Sequence, residues 1–184
     1  SAADSGVKVD EVEGRLRVVW PISDAESGSA VFSLDPEKPL IESLGVATVG
    51  GTDAPVATGL NPVAYLTVGS RDLKKPAGWV AFFDNPPLRP HQTYPVLLGG
   101  RRAVVSHGAS RTTVSVAEVS AASFRGDLRF TFYRDSPVIR AEMVVATHED
   151  GRAIVYDVGF AGASPGWAAI DWNDAAGPPG RMAL

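Results

Sequence analysis

The side chains in this sequence that could do chemistry are three histidines, a set of aspartates and four tryptophans; cysteine is absent. His91, His107 and His148 lie in separate segments and make no HxH, HxxxH or HExxH pattern, so no metal-binding motif is present. His148 falls in a turn and His107 precedes Gly108 at a strand end, both ordinary surface positions. No histidine stands at the amino terminus, which argues against a copper oxygenase built on an amino-terminal brace. Without cysteine there is no thiol nucleophile, disulfide framework or thiolate zinc site. A GxSxG elbow is also missing, and most serines fall in turns.

Paired carboxylates need no sequence signature, because glycoside chemistry asks only for two carboxyl groups facing across a cleft. Asp84, Asp157, Asp171 and Asp174 stand near apolar or aromatic neighbours and are the candidates, although Asp84-Asn85-Pro86 is equally an ordinary strand-ending turn. Trp20 and Trp79 lie inside strand patterns and are expected in the core. Trp167 and Trp172 sit instead in the C-terminal stretch from Pro165 to Asp174, joined by Asp and Asn. Indoles stack on sugar rings while carboxylates and amides bond hydroxyls, and a tryptophan covering an open sheet edge fits the same pattern. A second patch, on a proline-stiffened loop, gathers Asp84, Asn85, Arg89, His91, Gln92 and Tyr94. The ligand-binding candidates are therefore Trp172, Trp167, Asp171, Asp84, Asn85, His91 and Tyr94. No metal or cofactor is expected, with a structural calcium left open because no acidic loop has diagnostic spacing.

The elements that must position these residues read as strands. From Arg15 to Trp20, Leu16, Val18 and Trp20 share one face, a period of two. Ser23 to Ser29 reads as a loop, Ala30 to Leu34 and Pro39 to Val49 as apolar segments parted by Asp35-Pro36, and Gly50 to Asp53 as a turn. Val63 to Val68 and Gly78 to Phe83 are strand candidates, the second apolar on both faces and expected to be buried. Asp84 to Pro95 carries Pro86, Pro87, Pro90 and Pro95 and reads as a long, stiff loop. Beyond it, Arg101 to Ser106, Arg111 to Val119, Asp127 to Tyr133, Val138 to Thr147 and Arg152 to Val158 follow one another with short turns. The last turn, His148 to Gly151, ends in a hairpin-type Asp-Gly. Such an order predicts an antiparallel meander. A short helix over Val138 to Thr147, or a helical turn within Ala117 to Phe124, is the competing local reading; β-branched content favours strands at the first.

The chain has 184 residues, enough for one substantial core, and no linker divides it, so a single domain over residues 1–184 is expected. Its 45% hydrophobic and 21% charged residues are globular proportions, and 19 Gly with 14 Pro supply the turns of a many-stranded fold. The net charge of −4, with no Lys/Arg block and Arg101-Arg102 only an isolated pair, argues against nucleic acid as a partner. No apolar run approaches the roughly 18 to 20 residues of a membrane span. The sequence opens on Ser1 rather than Met, which suggests a processed secretory protein or an excised domain and leans towards a secreted or periplasmic location.

Two stretches carry a resemblance. Ala30-Val31-Phe32-Ser33-Leu34-Asp35 with Pro39-Leu40-Ile41, and the run from Leu128 to Arg140, resemble the large β-sandwich domains of bacterial polysaccharide-active proteins. Those include the galactose-mutarotase-like supersandwich portions of polysaccharide lyases and glycosidases. Mutarotases proper use a catalytic His and Glu in recognisable motifs that are missing here, so no catalytic residue carries over. A complete supersandwich is also longer, so the resemblance implies an N-terminal or accessory domain of a larger protein. The expectation is an all-β antiparallel sandwich, with many short strands and little or no helix, that acts as a non-catalytic carbohydrate-binding or accessory domain. Its partners would be polysaccharides or oligosaccharides and other domains of the same protein. The alternatives are a lyase or glycoside hydrolase using Asp84, Asp157 or Asp171, and an assembly domain docking a partner through exposed strand edges.

Overall fold

The structure, a computed structural model, describes residues 5–48, 51–71, 90–162, 166–173, 175 and 177–184. Among these residues there are thirteen strands and no helix. β1 (Lys8–Val12), β2 (Arg15–Pro21), β3 (Glu26–Ser33), β4 (Ile41–Thr48) and β5 (Ala54–Ser70) run antiparallel in sequence order. β11 (Arg152–Gly162) and β6 (His91–Pro95) both pair with β5 and complete a seven-stranded sheet. β7 (Leu97–His107), β8 (Arg111–Ala121), β9 (Phe124–Tyr133) and β10 (Ile139–Ala146) form a four-stranded meander. β12 (Ala169–Trp172) and β13 (Gly180–Ala183) make a separate hairpin. The fold is an all-β antiparallel sandwich, and no helix among the described residues is long and apolar enough to cross a membrane.

Alternation builds the core. Leu16, Val18 and Trp20 on β2, with Ala30 and Phe32 on β3, turn inward against Val114, Val116 and Val119 of β8 and Leu128, Phe130 and Phe132 of β9. A bulge between Ser115 and Ala117 shifts the inward set of β8 from even to odd positions, which keeps Val119 and Ala121 buried. Three ring contacts join the sheets: Trp20 to Phe132 at 4.9 Å, and Phe32 to Phe130 at 4.8 Å and to Phe132 at 6.3 Å. The buried Trp20 indole donates its Nε1–H to the Ser136 carbonyl at 2.9 Å, so its one polar atom is satisfied. Glu13 and Gly14, with φ of 51° and 73°, close β1 onto β2 in a two-residue turn of the type that matches strand twist.

Several sequence expectations are corrected. β3 begins at Glu26, so the Ser23–Ser29 loop is shorter than its composition suggests. His91 to Pro95 is a strand, not loop: β6 is short, and Pro95 stands at its end, where a missing N–H is tolerated. Residues 139–146 are strand and the Ala117–Phe124 stretch is strand and turn, with no helical turn at either. β5 extends far beyond Val63–Val68, accommodating Pro55 beside a register shift of β4 and bending at Gly59, whose φ is 65°. The largest difference is at β11, which does not continue the meander. Across Thr147 to Gly151 the chain leaves β10 and crosses to the other sheet, where Arg152 to Gly162 pair with Ser70 to Leu60. The Gly151 carbonyl accepts the Arg71 N–H at 2.6 Å, tying this arch to the end of β5. Gly78 to Phe83 and Trp79 lie outside the described residues.

Arg101 locks the meander to the β3–β4 connection. Its Nη1 donates to the carbonyls of Asp35 at 2.6 Å, Lys38 at 2.7 Å and Ser33 at 3.3 Å. Burial lowers the pKa of this guanidinium, with the Asp35 carboxylate acting in the opposite direction. Arg101→Met keeps the apolar stem and removes the donors. It is expected to cost about 1–3 kcal/mol in urea denaturation, with the slope of the transition unchanged.

Candidate functional site

Two of the sequence-predicted residues come together on the C-terminal hairpin. Its register sets Ile170 opposite Met182, Asp171 opposite Arg181 and Trp172 opposite Gly180. Strand alternation therefore gives it an apolar face of Ile170, Met182 and Trp172, and a polar face of Asp171 and Arg181, whose side chains pair at 3.3 Å. The Trp172 indole lies on Gly180, in space that any Cβ there would fill, and the residue is still 45% exposed. A ring backed by glycine on one side and open on the other is a flat stacking platform. Trp167, 49% exposed, donates its Nε1–H to the Val56 carbonyl at 2.8 Å and so fixes the root of the hairpin to the first half of β5. Asp171 and Trp172, adjacent in sequence, point to opposite faces and do not share one ligand-facing surface.

The second patch is elsewhere. β6 pairs with the far end of β5, His91 opposite Gly69 and Tyr94 opposite Leu66. Val56 and Gly69 are separated by roughly 40 Å of strand, so the two patches do not converge. Tyr94 is partly buried against the small core cluster of Leu66, Val68, Ala121 and Phe124, and its hydroxyl donates to Gln92 Oε1 at 2.8 Å. The ring is thus a packing element. His91, exposed, lies on the other face of β6 with Thr93, whose hydroxyl meets that of Thr67 at 2.7 Å. Asp84 and Asn85 lie outside the described residues, as does Asp174.

Of the four candidate carboxylates, Asp157 and Asp171 lie among the described residues. Asp157 is exposed on β11 opposite Tyr65, and Asp171 is held by Arg181 on the hairpin. Among the described residues no three His, Cys, Asp or Glu side chains gather closely enough to hold a metal ion. One polar chain escaped the sequence reading: His107 Nδ1 to Thr112 Oγ1 at 3.1 Å, and Thr112 Oγ1 to Ser5 Oγ at 2.9 Å. Ser5 and Thr112 are buried, so these hydroxyls fasten the N-terminal segment under β8 and present no nucleophile to solvent.

The sequence reading also missed a groove of about 400 Å3 where the two sheets part, between β10 and β11. Its walls are mostly apolar, from Leu66 on β5, Met143 and Val145 on β10, and Tyr156 and Val158 on β11; Arg140 and Glu142, paired at 2.6 Å, lie at its rim. The signal was present as the apolar alternation Ile154, Tyr156, Val158 and Phe160, but periodicity alone does not say whether a face is covered. A scan of the chain against protein-family models finds no match, and a search of curated proteins finds none either.

Proposed function

We propose that this chain is a non-catalytic carbohydrate-binding or accessory domain of an exported polysaccharide-active protein, and that it contacts sugar through Trp172 and Trp167. The observation that carries the reading is the Trp172 platform: an indole backed by Gly180 and about half open to solvent at the end of a short hairpin. Sugar rings present C–H faces that such a ring takes up. Asp171, turned to the other face, serves the hairpin through Arg181 in this reading.

A binding screen of the domain against plant and microbial polysaccharides, with products assayed in the same wells, tests the proposal. Binding without products is the expected result. Trp172→Ala should then weaken affinity about tenfold, the equivalent of one lost aromatic stack, while the thermal midpoint stays unchanged. Release of products would instead favour a lyase or hydrolase and direct attention to Asp157→Asn and Asp171→Asn. Retention of full affinity by Trp172→Ala would remove the platform from the account.

A further inference from the structure

Among the described residues, the side of the sandwich where β10 and β11 end their sheets is open. β10 is the last strand of the meander and β11 the last of the larger sheet, and among the described residues neither has a second ladder partner. β11 carries Tyr156 and Val158, each 65% exposed, and Phe160, 51% exposed. The register with β5 sets Tyr156 opposite Leu66 and Val158 opposite Ala64, both buried, so these three side chains extend the core-facing side of the sheet beyond its cover. Natural edges are blunted by proline, lysine, bulges or shortness. This edge is 11 residues long and regular in its pairing, has no proline or lysine, and carries charge only at Arg152 and Asp157.

We propose that β11 pairs antiparallel with β11 of a second copy of this chain across a two-fold axis at Val158. The occupant follows from the strand's own self-complementarity. With the axis at Val158, Tyr156 of each copy stands opposite Phe160 of the other, giving two aromatic cross-strand pairs, and Asp157 stands opposite Gly159. An axis at Asp157 would set two carboxylates against each other. A slip of one residue would turn one copy's apolar face to the wrong side of the sheet. In the Val158 register the core-facing sides of both sheets run on without a break, and each copy's Tyr156 and Phe160 close the groove of the other. The exposed parts of the three side chains amount to roughly 300 Å2 per copy, to which the backbone edges add. The side chains alone supply about half of the roughly 600 Å2 per partner at the lower end of stable interfaces, which implies a dimer that dissociates on dilution.

The chain contains no cysteine, so single-cysteine variants report proximity cleanly. Val158→Cys places its thiol on the axis, and mild oxidation should convert it to a covalent dimer at least tenfold faster than Val12→Cys, an exposed position on β1 at the opposite edge of the sheet. Sedimentation of the unaltered domain should show dimer at about 100 µM and monomer on dilution. Val158→Lys, which sets two ammonium groups on the axis, should be monomeric at both concentrations with an unchanged monomer melting midpoint. A monomer throughout, or equal cross-linking from positions 12 and 158, overturns the proposal.

Discussion

Phe32→Ala is expected to lower the stability of the domain by about 3–5 kcal/mol, a large share of the ~5–15 kcal/mol that holds a domain of this size together. Phe32 is fully buried on β3, and both of its ring contacts, Phe130 and Phe132, belong to β9 in the facing sheet. The ring is therefore part of the contact between sheets and not of either sheet alone. A hollow of about 140 Å3 already lies beside it, lined also by Ile41, Phe130 and Phe160. Truncation merges the new void with the old one. Walls fixed in two hydrogen-bonded ladders collapse poorly, which places the cost towards the upper end of the range. Urea denaturation should show the midpoint falling, and Phe32→Leu should keep most of the loss from occurring. A loss below about 1 kcal/mol would mean that the sheets are held together elsewhere.

The second large effect is expected at Gly28. Gly28 faces Trp20 across the β2–β3 ladder, and a Cβ added there would enter the indole ring. Trp20 has nowhere to retreat: it is 3% exposed, packs on Phe132 and is tethered through Nε1 to the Ser136 carbonyl. Gly28→Ala should cost about 2–3 kcal/mol by overpacking and by loss of that hydrogen bond. Because the damage runs through one partner, the two sites should couple. Trp20→Leu alone destabilises, yet the double variant Gly28→Ala/Trp20→Leu should be more stable than the sum of the two single losses predicts, by about 1 kcal/mol or more. Strict additivity in this cycle would show that the glycine is required for another reason.

Much of the fold was legible in the sequence, and for one reason. Where a strand has one buried and one wet face, its composition alternates, and β2, β8 and β9 were readable on that ground. Four features were not. β6 was masked by prolines, which mark loops in the middle of a sheet and are tolerated at a strand end. The first half of β5 was hidden by Pro55 and Gly59 in the same way. β11 was recognisable as a strand but not by its sheet, because an Asp-Gly turn closes a hairpin and an arch between sheets equally well. β12 and β13 are too short for alternation to register. The site was legible only as residue types. Sequence identified Trp167 and Trp172 as unlike Trp20, and exposure agrees. It could not separate Asp171 from Trp172, whose opposite facing follows from strand geometry, nor see that Tyr94 fills a small core while His91 lies some 40 Å of strand away from the hairpin root.

The pairing of β5 with β11 also sets an order of events in time. A chain emerging from the ribosome delivers β1 to β5 long before Arg152, so the second half of β5 is complete while its partner is still unmade. The four-strand meander needs only neighbours in sequence and can form early and locally. Joining β11 to β5 must instead close a loop that contains the entire meander, and long closures are slow to find. Among the described residues the β5–β11 ladder is the one of greatest separation in sequence, reaching from Leu60 to Gly162. A chain halted before Arg152 would hold a finished meander and leave one edge of β5 waiting for its partner.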